Sequence, residues 1–163
     1  MVKNVVKTTS DTLDCVTKYI AVSAFMLFLI LTFVGVLSRF VFQSPVAAAV
    51  ELSRLGFVWM CLMGAALAYK RNAHIEFSVL KNVISFNFRK VLGIIISLLG
   101  MIFLILILRY SIEITMKVWN SKLSTTGWSN GFVYLPLPIS AVCMMVHCIN
   151  EIIELYCSKK EEV

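Results

Sequence analysis

The feature that most constrains this fold is an unbroken run of uncharged residues from Tyr19 to Ser38. The run has twenty residues, and as a helix rising about 1.5 Å per residue it would cover roughly 30 Å, the thickness of a bilayer core. It is too long for the apolar part of a signal peptide, which has about 7–15 residues. Arg39 also separates it from the alanines at 47–49, which could otherwise mimic a processing site. We therefore predict an uncleaved first transmembrane helix.

Three more apolar segments of spanning length follow, and the composition agrees with lipid as the main solvent. The chain of 163 residues is 60% hydrophobic and 15% charged, with a mean hydropathy of +0.88. Soluble proteins are about 45–50% apolar and about 25% charged. We predict an all-α membrane protein with one domain, 1–163, and four spans at about 19–42, 45–69, 90–118 and 131–156.

Prolines mark the starts of two of these spans. Ser44 and Pro45 are predicted to be the N-cap and the first residue of helix 2, because a proline at that position needs no partner for an N–H group. Pro136 and Pro138 stand at the start of helix 4. Two prolines there predict a kinked or extended start rather than a regular first turn.

Helices 2 and 3 are both longer than the lipid requires. Helix 2 carries Glu51 and Arg54 in its first turns, which must therefore lie at the membrane interface. Beyond the uncharged part of helix 3, Arg109, Glu113 and Lys117 recur at a spacing of four residues, which favours weak ion pairs along a continuing helix. We expect both helices to project to the interface that lies opposite the chain termini.

The distribution of basic residues predicts the orientation of the four spans. The N-terminal segment, the middle loop and the C-terminal tail share one side and hold ten Lys and Arg. The opposite side holds five, namely Arg39, Arg54, Arg109, Lys117 and Lys122. Because cytoplasmic loops carry the excess of Lys and Arg, both termini are predicted to be cytoplasmic.

The spans contain little that could carry chemistry. No Asp, Glu, Lys or Arg lies near the centre of any apolar core, whereas ion-coupled transporters place polar ligands at mid-depth. The two histidines, His74 and His147, have different settings, and no nucleophile, phosphate loop or metal cluster accompanies them. We expect no catalytic, substrate-binding or metal site, no cofactor and no nucleic-acid partner.

Cys143, His147 and Cys148 have a faint resemblance to metal-ligand spacing. Small thiols packed within a membrane helix are the stronger interpretation, and a lone helical histidine most often forms a hydrogen bond between helices. Neither a disulfide framework nor a zinc site is expected.

Four residues of the first two spans, towards the side opposite the chain termini, are candidates for an ion pair or a subunit interface. Glu51 could bridge to Arg39 on helix 1, with Arg54 facing a partner or a lipid headgroup, or Glu51 and Arg54 could form an exposed pair within helix 2. Trp59 lies within span 2, where its indole N–H requires an acceptor, which we expect across a helix interface.

Small residues recur in two spans, with Gly56 and Gly64 on helix 2 and Gly93 and Gly100 on helix 3. Small residues allow helix backbones to approach closely in lipid. The pattern fits either packing within this chain or docking on a larger partner, and the sequence leaves both open.

An ordered set of short motifs covers nearly the whole chain: RFVF at 39–42, ELSR at 51–54, FVW at 57–59, GAA at 64–66, HIE at 74–76 and PLPI at 136–139. This set resembles the small membrane subunit (DctQ-type) of tripartite ATP-independent periplasmic (TRAP) transporters. Glu76 stands where that family often has Asp, and Ala48 stands where an aromatic is common.

The resemblance implies a non-catalytic scaffold subunit in a bacterial inner membrane. Its expected partners are a large elevator-type membrane subunit that carries substrate and sodium, a periplasmic binding protein, and membrane phospholipids. The implied substrates are organic acids such as C4-dicarboxylates, sialic acids and keto acids. The alternatives are an independent four-helix transporter and a small membrane enzyme.

Four residues at the predicted cytoplasmic end of helix 2 are candidates for contact with that large subunit or with lipid. They could contact it directly, or they could cap the helix and bind anionic lipid headgroups. These residues are Lys70, Arg71, His74 and Glu76.

Overall fold

The computed structural model describes residues 2–44, 46–80 and 86–157, with side chains at 8–44, 46–71 and 91–153. Its helices are α1 (Val2–Phe40), α2 (Ala47–Leu80), α3 (Phe86–Val118), α4 (Gly131–Tyr134) and α5 (Pro136–Cys157). Four segments are long and apolar enough to cross a membrane: Thr8–Phe40, Ala47–Arg71, Val91–Val118 and Gly131–Ile153. The predicted all-α class with four spans is therefore confirmed.

The corner between α1 and α2 differs from the prediction in its cap. The chain reverses through Gln43, which adopts a left-handed φ of 49°. The Ser38 hydroxyl of α1 accepts the Val46 N–H at 3.4 Å, so a side chain from the preceding helix caps the start of α2. The helix begins at Ala47, and Ser44 is not its N-cap. Pro45 lies outside the described residues.

Helix α2 continues beyond the end of its apolar part. The predicted span ended at about residue 69, but the helix itself extends to Leu80. The segment after Gly64 contains neither glycine nor proline as far as Leu80, and these are the residues that stop a helix most effectively. The charges at Lys70 and Arg71 therefore end the hydrophobic span without ending the helix.

The same reasoning applies to the other long helices. Helix α1 starts at Val2, well before the apolar run at Tyr19, because the intervening polar residues do not break it. Helix α3 reaches Val118 as predicted, and Lys117 Nζ lies 2.6 Å from Glu113 Oε1 on the exposed surface.

The bundle is organised around α5 and is otherwise open. Helix α5 packs against α1, α2 and α3, whereas α3 packs mainly against α5, and α1 packs mainly against α2. Within the most apolar windows, 39% of the α5 span is buried but only 11% of the α1 and α3 spans. Most of the apolar surface therefore faces outward, as expected for helices that contact lipid or another membrane protein.

The predicted irregular start of the fourth span is confirmed. The span is divided at Leu135, which separates α4 from α5. The Leu135 N–H still donates to the Gly131 carbonyl at 2.8 Å, but Pro136 has no N–H to donate to the next carbonyl, that of Phe132. The Phe132 carbonyl therefore has no donor four residues along the chain and is open to a donor from another helix.

Candidate functional site

A short hairpin joins α3 to α4. Lys122 and Ser129 form an isolated antiparallel bridge, and the Leu123 N–H donates to the Trp128 carbonyl at 2.7 Å. Gly127, with a φ of +70°, occupies the left-handed region at the turn, where a residue without a Cβ is favoured. This hairpin was not predicted, although the run Ser-Thr-Thr-Gly at 124–127 has the composition of a turn.

The carboxylate of Glu51 binds the tip of the hairpin. Its Oε1 accepts hydrogen bonds from Ser124 Oγ at 2.8 Å and from the Thr125 N–H at 2.9 Å. Its Oε2 accepts from the Thr126 N–H at 3.0 Å and from Thr126 Oγ1 at 3.1 Å. Because backbone N–H groups can only donate, this arrangement suits the ionised carboxylate. Glu51 thus attaches the α3–α4 connection to the first turns of α2.

The expected ion pair between Glu51 and Arg39 is not formed, and neither is the alternative pair with Arg54. Within the described residues the ion pairs lie elsewhere. The Arg39 Cζ lies 5.8 Å from the ring centroid of Phe40. Donors already fixed in a tight turn bind a carboxylate without ordering a long arginine side chain, which carries a larger entropy cost.

Aromatic residues pack together at the base of the hairpin. The ring of Phe132 lies 5.7 Å from that of Trp119 and 6.3 Å from that of Trp128, between centroids. A Cβ on Gly131 would overlap the Trp119 indole, so a larger residue at this point would have to displace that ring. Trp119 and Trp128 nevertheless remain 45% and 55% exposed. The hairpin therefore presents an aromatic surface at this end of the bundle, and tryptophan is a residue type enriched at membrane–water interfaces.

Trp59 finds the interhelical partner that the sequence predicts. Its Nε1 donates to the Phe132 carbonyl at 3.0 Å. This is the carbonyl that Pro136 leaves without an intrahelical donor. Trp59 therefore supplies the hydrogen-bond donor that Pro136 lacks, and this bond ties α2 to α4.

Removing the indole N–H should measurably loosen this junction. We expect Trp59→Phe to lower the free energy of unfolding by about 1 kcal/mol, the typical net value of one hydrogen bond. In a Pro136→Ala background the restored backbone N–H can take the Phe132 carbonyl, so Trp59→Phe should cost clearly less there. Thermal unfolding in detergent for all four proteins of this double-mutant cycle measures the difference. Equal costs in both backgrounds would contradict the shared role.

The opposite end of the bundle contains a polar cluster. Lys70 Nζ lies 2.8 Å from Asp11 Oδ1 and 3.9 Å from Asp14 Oδ2, which links α2 to α1. Ser10 Oγ and His147 Nδ1 are 2.8 Å apart and link α1 to α5. Ser10 and His147 are 1% and 4% exposed, so the predicted interhelical hydrogen bond of His147 is confirmed. Lys70, a candidate for contact with a partner or with lipid, thus pairs with acidic residues of its own chain.

The other three candidates at that end are Arg71, His74 and Glu76. Arg71 is exposed, directly after Lys70. The side chains of His74 and Glu76 lie outside the described residues, so their expected contacts with a partner or with lipid stay predictions.

Cys143, His147 and Cys148 point to three separate partners rather than to a common centre. Cys143 Sγ lies 3.8 Å from Thr17 Oγ1, and Cys148 Sγ lies 3.2 Å from the Ser97 carbonyl on α3. Across the described part of the chain, no group of three His, Cys, Asp or Glu side chains could hold a metal ion.

The four glycines that the sequence suggests for helix packing have different surroundings. A Cβ on Gly56 would lie 3.1 Å from the Ala24 carbonyl oxygen and from the Phe28 nitrogen, both on the backbone of α1. A Cβ on Gly64 would meet nothing within 4 Å, and one on Gly100 would lie 4.0 Å from the Tyr69 hydroxyl. Gly93 is partly exposed on α3. Gly56 therefore marks the close approach of α1 and α2.

Comparison with known proteins gives one family. The family model "Tripartite ATP-independent periplasmic transporters, DctQ component" matches residues 28–158. A putative TRAP transporter small permease protein of Haemophilus influenzae is 28% identical over 130 residues, which are 80% of this chain and 79% of that protein.

Two further relatives differ in length from this chain. The C4-dicarboxylate TRAP transporter small permease protein DctQ of Vibrio cholerae is 30% identical over 99 residues, 61% of this chain and 41% of that protein. The sialic acid TRAP transporter permease protein SiaT of Haemophilus influenzae is 27% identical over 115 residues, 71% of this chain but 19% of that much longer protein.

Proposed function

The chain belongs to the DctQ component family of the tripartite ATP-independent periplasmic (TRAP) transporters, and from this premise we propose that it is the scaffold subunit of a sodium-coupled, binding-protein-dependent uptake system for an organic acid. It is a multi-pass inner-membrane protein of a family of transporter subunits. The proposed substrate class rests on relatives named for sialic acid and for C4-dicarboxylates.

The open bundle is the observation that carries the scaffold role. The apolar windows of α1 and α3 are only 11% buried within the chain, so their outward faces are free to pack against a larger membrane protein. The charged groups Glu51 and Lys70 lie towards the two ends of the second span, and each is held by its own chain. This arrangement suits a subunit that supports a transport pathway better than one that forms a pathway.

The relative SiaT supports a large membrane subunit as the partner. A stretch similar to this chain makes up 19% of SiaT, so in that permease the stretch is covalently joined to a much longer polypeptide. We infer that this chain likewise works with a large membrane partner, and that this partner carries the substrate and the sodium ions.

The hairpin is the proposed contribution to docking of the periplasmic binding protein. By the count of basic residues, its end of the bundle faces the periplasm. Exposed Trp119 and Trp128 are residue types that favour protein interfaces. Glu51 fixes the tip in advance of binding, which lowers the ordering cost when a partner docks.

Co-purification and reconstitution test this function. The tagged chain should retain a much larger membrane protein in roughly stoichiometric amount. Liposomes that contain both membrane chains and receive the binding protein should take up sialic acid, a C4-dicarboxylate or a keto acid when a sodium gradient is applied. Liposomes with this chain alone should take up none. Sodium-driven uptake by this chain alone would overturn the scaffold role.

A further inference from the structure

A narrow groove runs between α2 and the junction of α4 with α5. Its volume is about 240 Å³. From Arg54 to Leu62 it follows α2 for eight residues, which is about 12 Å along the helix. Apart from Arg54 and the Tyr134 ring, its walls are aliphatic, phenyl or thiol groups: Phe57, Val58, Cys61, Leu62, Val133 and Leu137.

Arg54 supplies the single charge of this groove, at the end nearest the hairpin. Its side chain is exposed. Among the described residues it has neither an ion pair nor a hydrogen bond, since the carboxylate of Glu51, one turn away, is occupied by the hairpin. A guanidinium at a membrane interface, with no carboxylate paired to it, is a natural partner for a phosphate group.

The dimensions restrict what the apolar part can hold. The groove is open on one side, and its volume of about 240 Å³ is too small to enclose a second helix, which is about 10 Å across. A single hydrocarbon chain, whose carbon atoms keep about 4 Å from their neighbours, needs far less space. The volume is also below the 300–1,000 Å³ or so of compact small-molecule pockets.

We propose that this groove binds one phospholipid, with an acyl chain along α2 and the phosphate on Arg54. The groove runs parallel to the span Ala47–Arg71, so an acyl chain enters it in the direction that it already has in a bilayer. The charge lies at the interface and the apolar walls lie deeper, which is the polarity of a phospholipid. The proposal needs only the membrane-spanning helices and does not rest on the transport role.

Native mass spectrometry of the full chain in mild detergent tests this binding. The delipidated protein is mixed with phosphatidylglycerol, or with a diacylglycerol that carries the same acyl chains. We expect one phosphatidylglycerol per chain and much weaker retention of the diacylglycerol. Arg54→Gln should lower phosphatidylglycerol retention about tenfold, since it removes a charged hydrogen-bond donor, and Arg54→Lys should retain more than Arg54→Gln. Cys61→Phe should displace the lipid by filling the groove.

Two matched controls separate this site from general lipid adhesion. Arg109→Gln removes an exposed arginine of α3, and Cys15→Phe enlarges an exposed cysteine of α1. Neither residue lines the groove, so both variants should keep the lipid. Equal retention in Arg54→Gln and Arg109→Gln, or equal retention of phosphatidylglycerol and diacylglycerol, would overturn the proposal. Thermal unfolding of each variant verifies that a loss of lipid does not reflect a loss of fold.

Discussion

Replacing Gly56 by alanine is expected to lower the free energy of unfolding by about 1–3 kcal/mol, the usual cost of overpacking a tight site. The added Cβ would lie 3.1 Å from two backbone atoms of α1. Backbone atoms cannot rotate away as a side chain can, so the two helices must separate. Phe57 would then also lose its contact with Phe28, whose ring centroid lies 5.5 Å away. Thermal unfolding in detergent measures the change.

Gly64→Ala is the matched control for this prediction. Both glycines lie within the same span, but a Cβ on Gly64 would meet nothing within 4 Å. Alanine should be neutral or slightly stabilising there, because it has the higher helix propensity. If the two variants unfold at the same temperature, the close approach of α1 and α2 does not limit stability.

Replacing Glu51 by glutamine is expected to release the tip of the hairpin while leaving the four helices folded. Glutamine keeps one accepting oxygen but places an NH₂ group where the second carboxylate oxygen accepts two hydrogen bonds. At least one backbone N–H of the tip then faces a donor. Hydrogen exchange at the Thr125 and Thr126 amides should become faster by an order of magnitude or more.

Glu113→Gln provides the comparison for this experiment. Glu113 is also an exposed acidic residue, but it pairs with Lys117 within α3. Its replacement should leave exchange at the hairpin tip unchanged. Unaltered exchange at Thr125 and Thr126 in the Glu51 variant would mean that the turn is stable without its carboxylate. Assembly with the large subunit and uptake, measured for both variants, would connect the anchored hairpin to the proposed docking role.

The sequence was sufficient to predict the helical spans because their cause is local. Lipid requires about twenty apolar residues per helix, and runs such as Tyr19–Ser38 meet that requirement without reference to the rest of the chain. The ends of the helices were predicted less well. Lys70 marks the limit of the apolar segment, yet α2 continues to Leu80, since a charge changes the preferred solvent and only weakly affects helix propensity.

A contact at the site could be predicted only where one of its two groups requires a particular kind of partner. A tryptophan N–H within a span requires an acceptor, so the interhelical bond of Trp59 was predictable. Its acceptor was not, because Phe132 is available only through the missing N–H of Pro136. Glu51 was singled out from the sequence, but the two nearby arginines suggested ion pairs, and the structure gives it hydrogen bonds to the hairpin instead. The turn donors that bind it lie more than seventy residues along the chain, a distance that no local pattern spans.

The central position of α5 has a consequence for the order in which the bundle can be built. Helices α1 and α2 adjoin in the chain and pack on each other, so they can pair as soon as both enter the membrane. Helix α3 packs mainly against α5, which is complete only 39 residues after α3 ends at Val118. At a synthesis rate of about 5–20 residues per second, α3 waits some seconds in lipid without its main neighbour. A chaperone or a co-translated partner that contacts this chain during biogenesis would meet α3 in that interval.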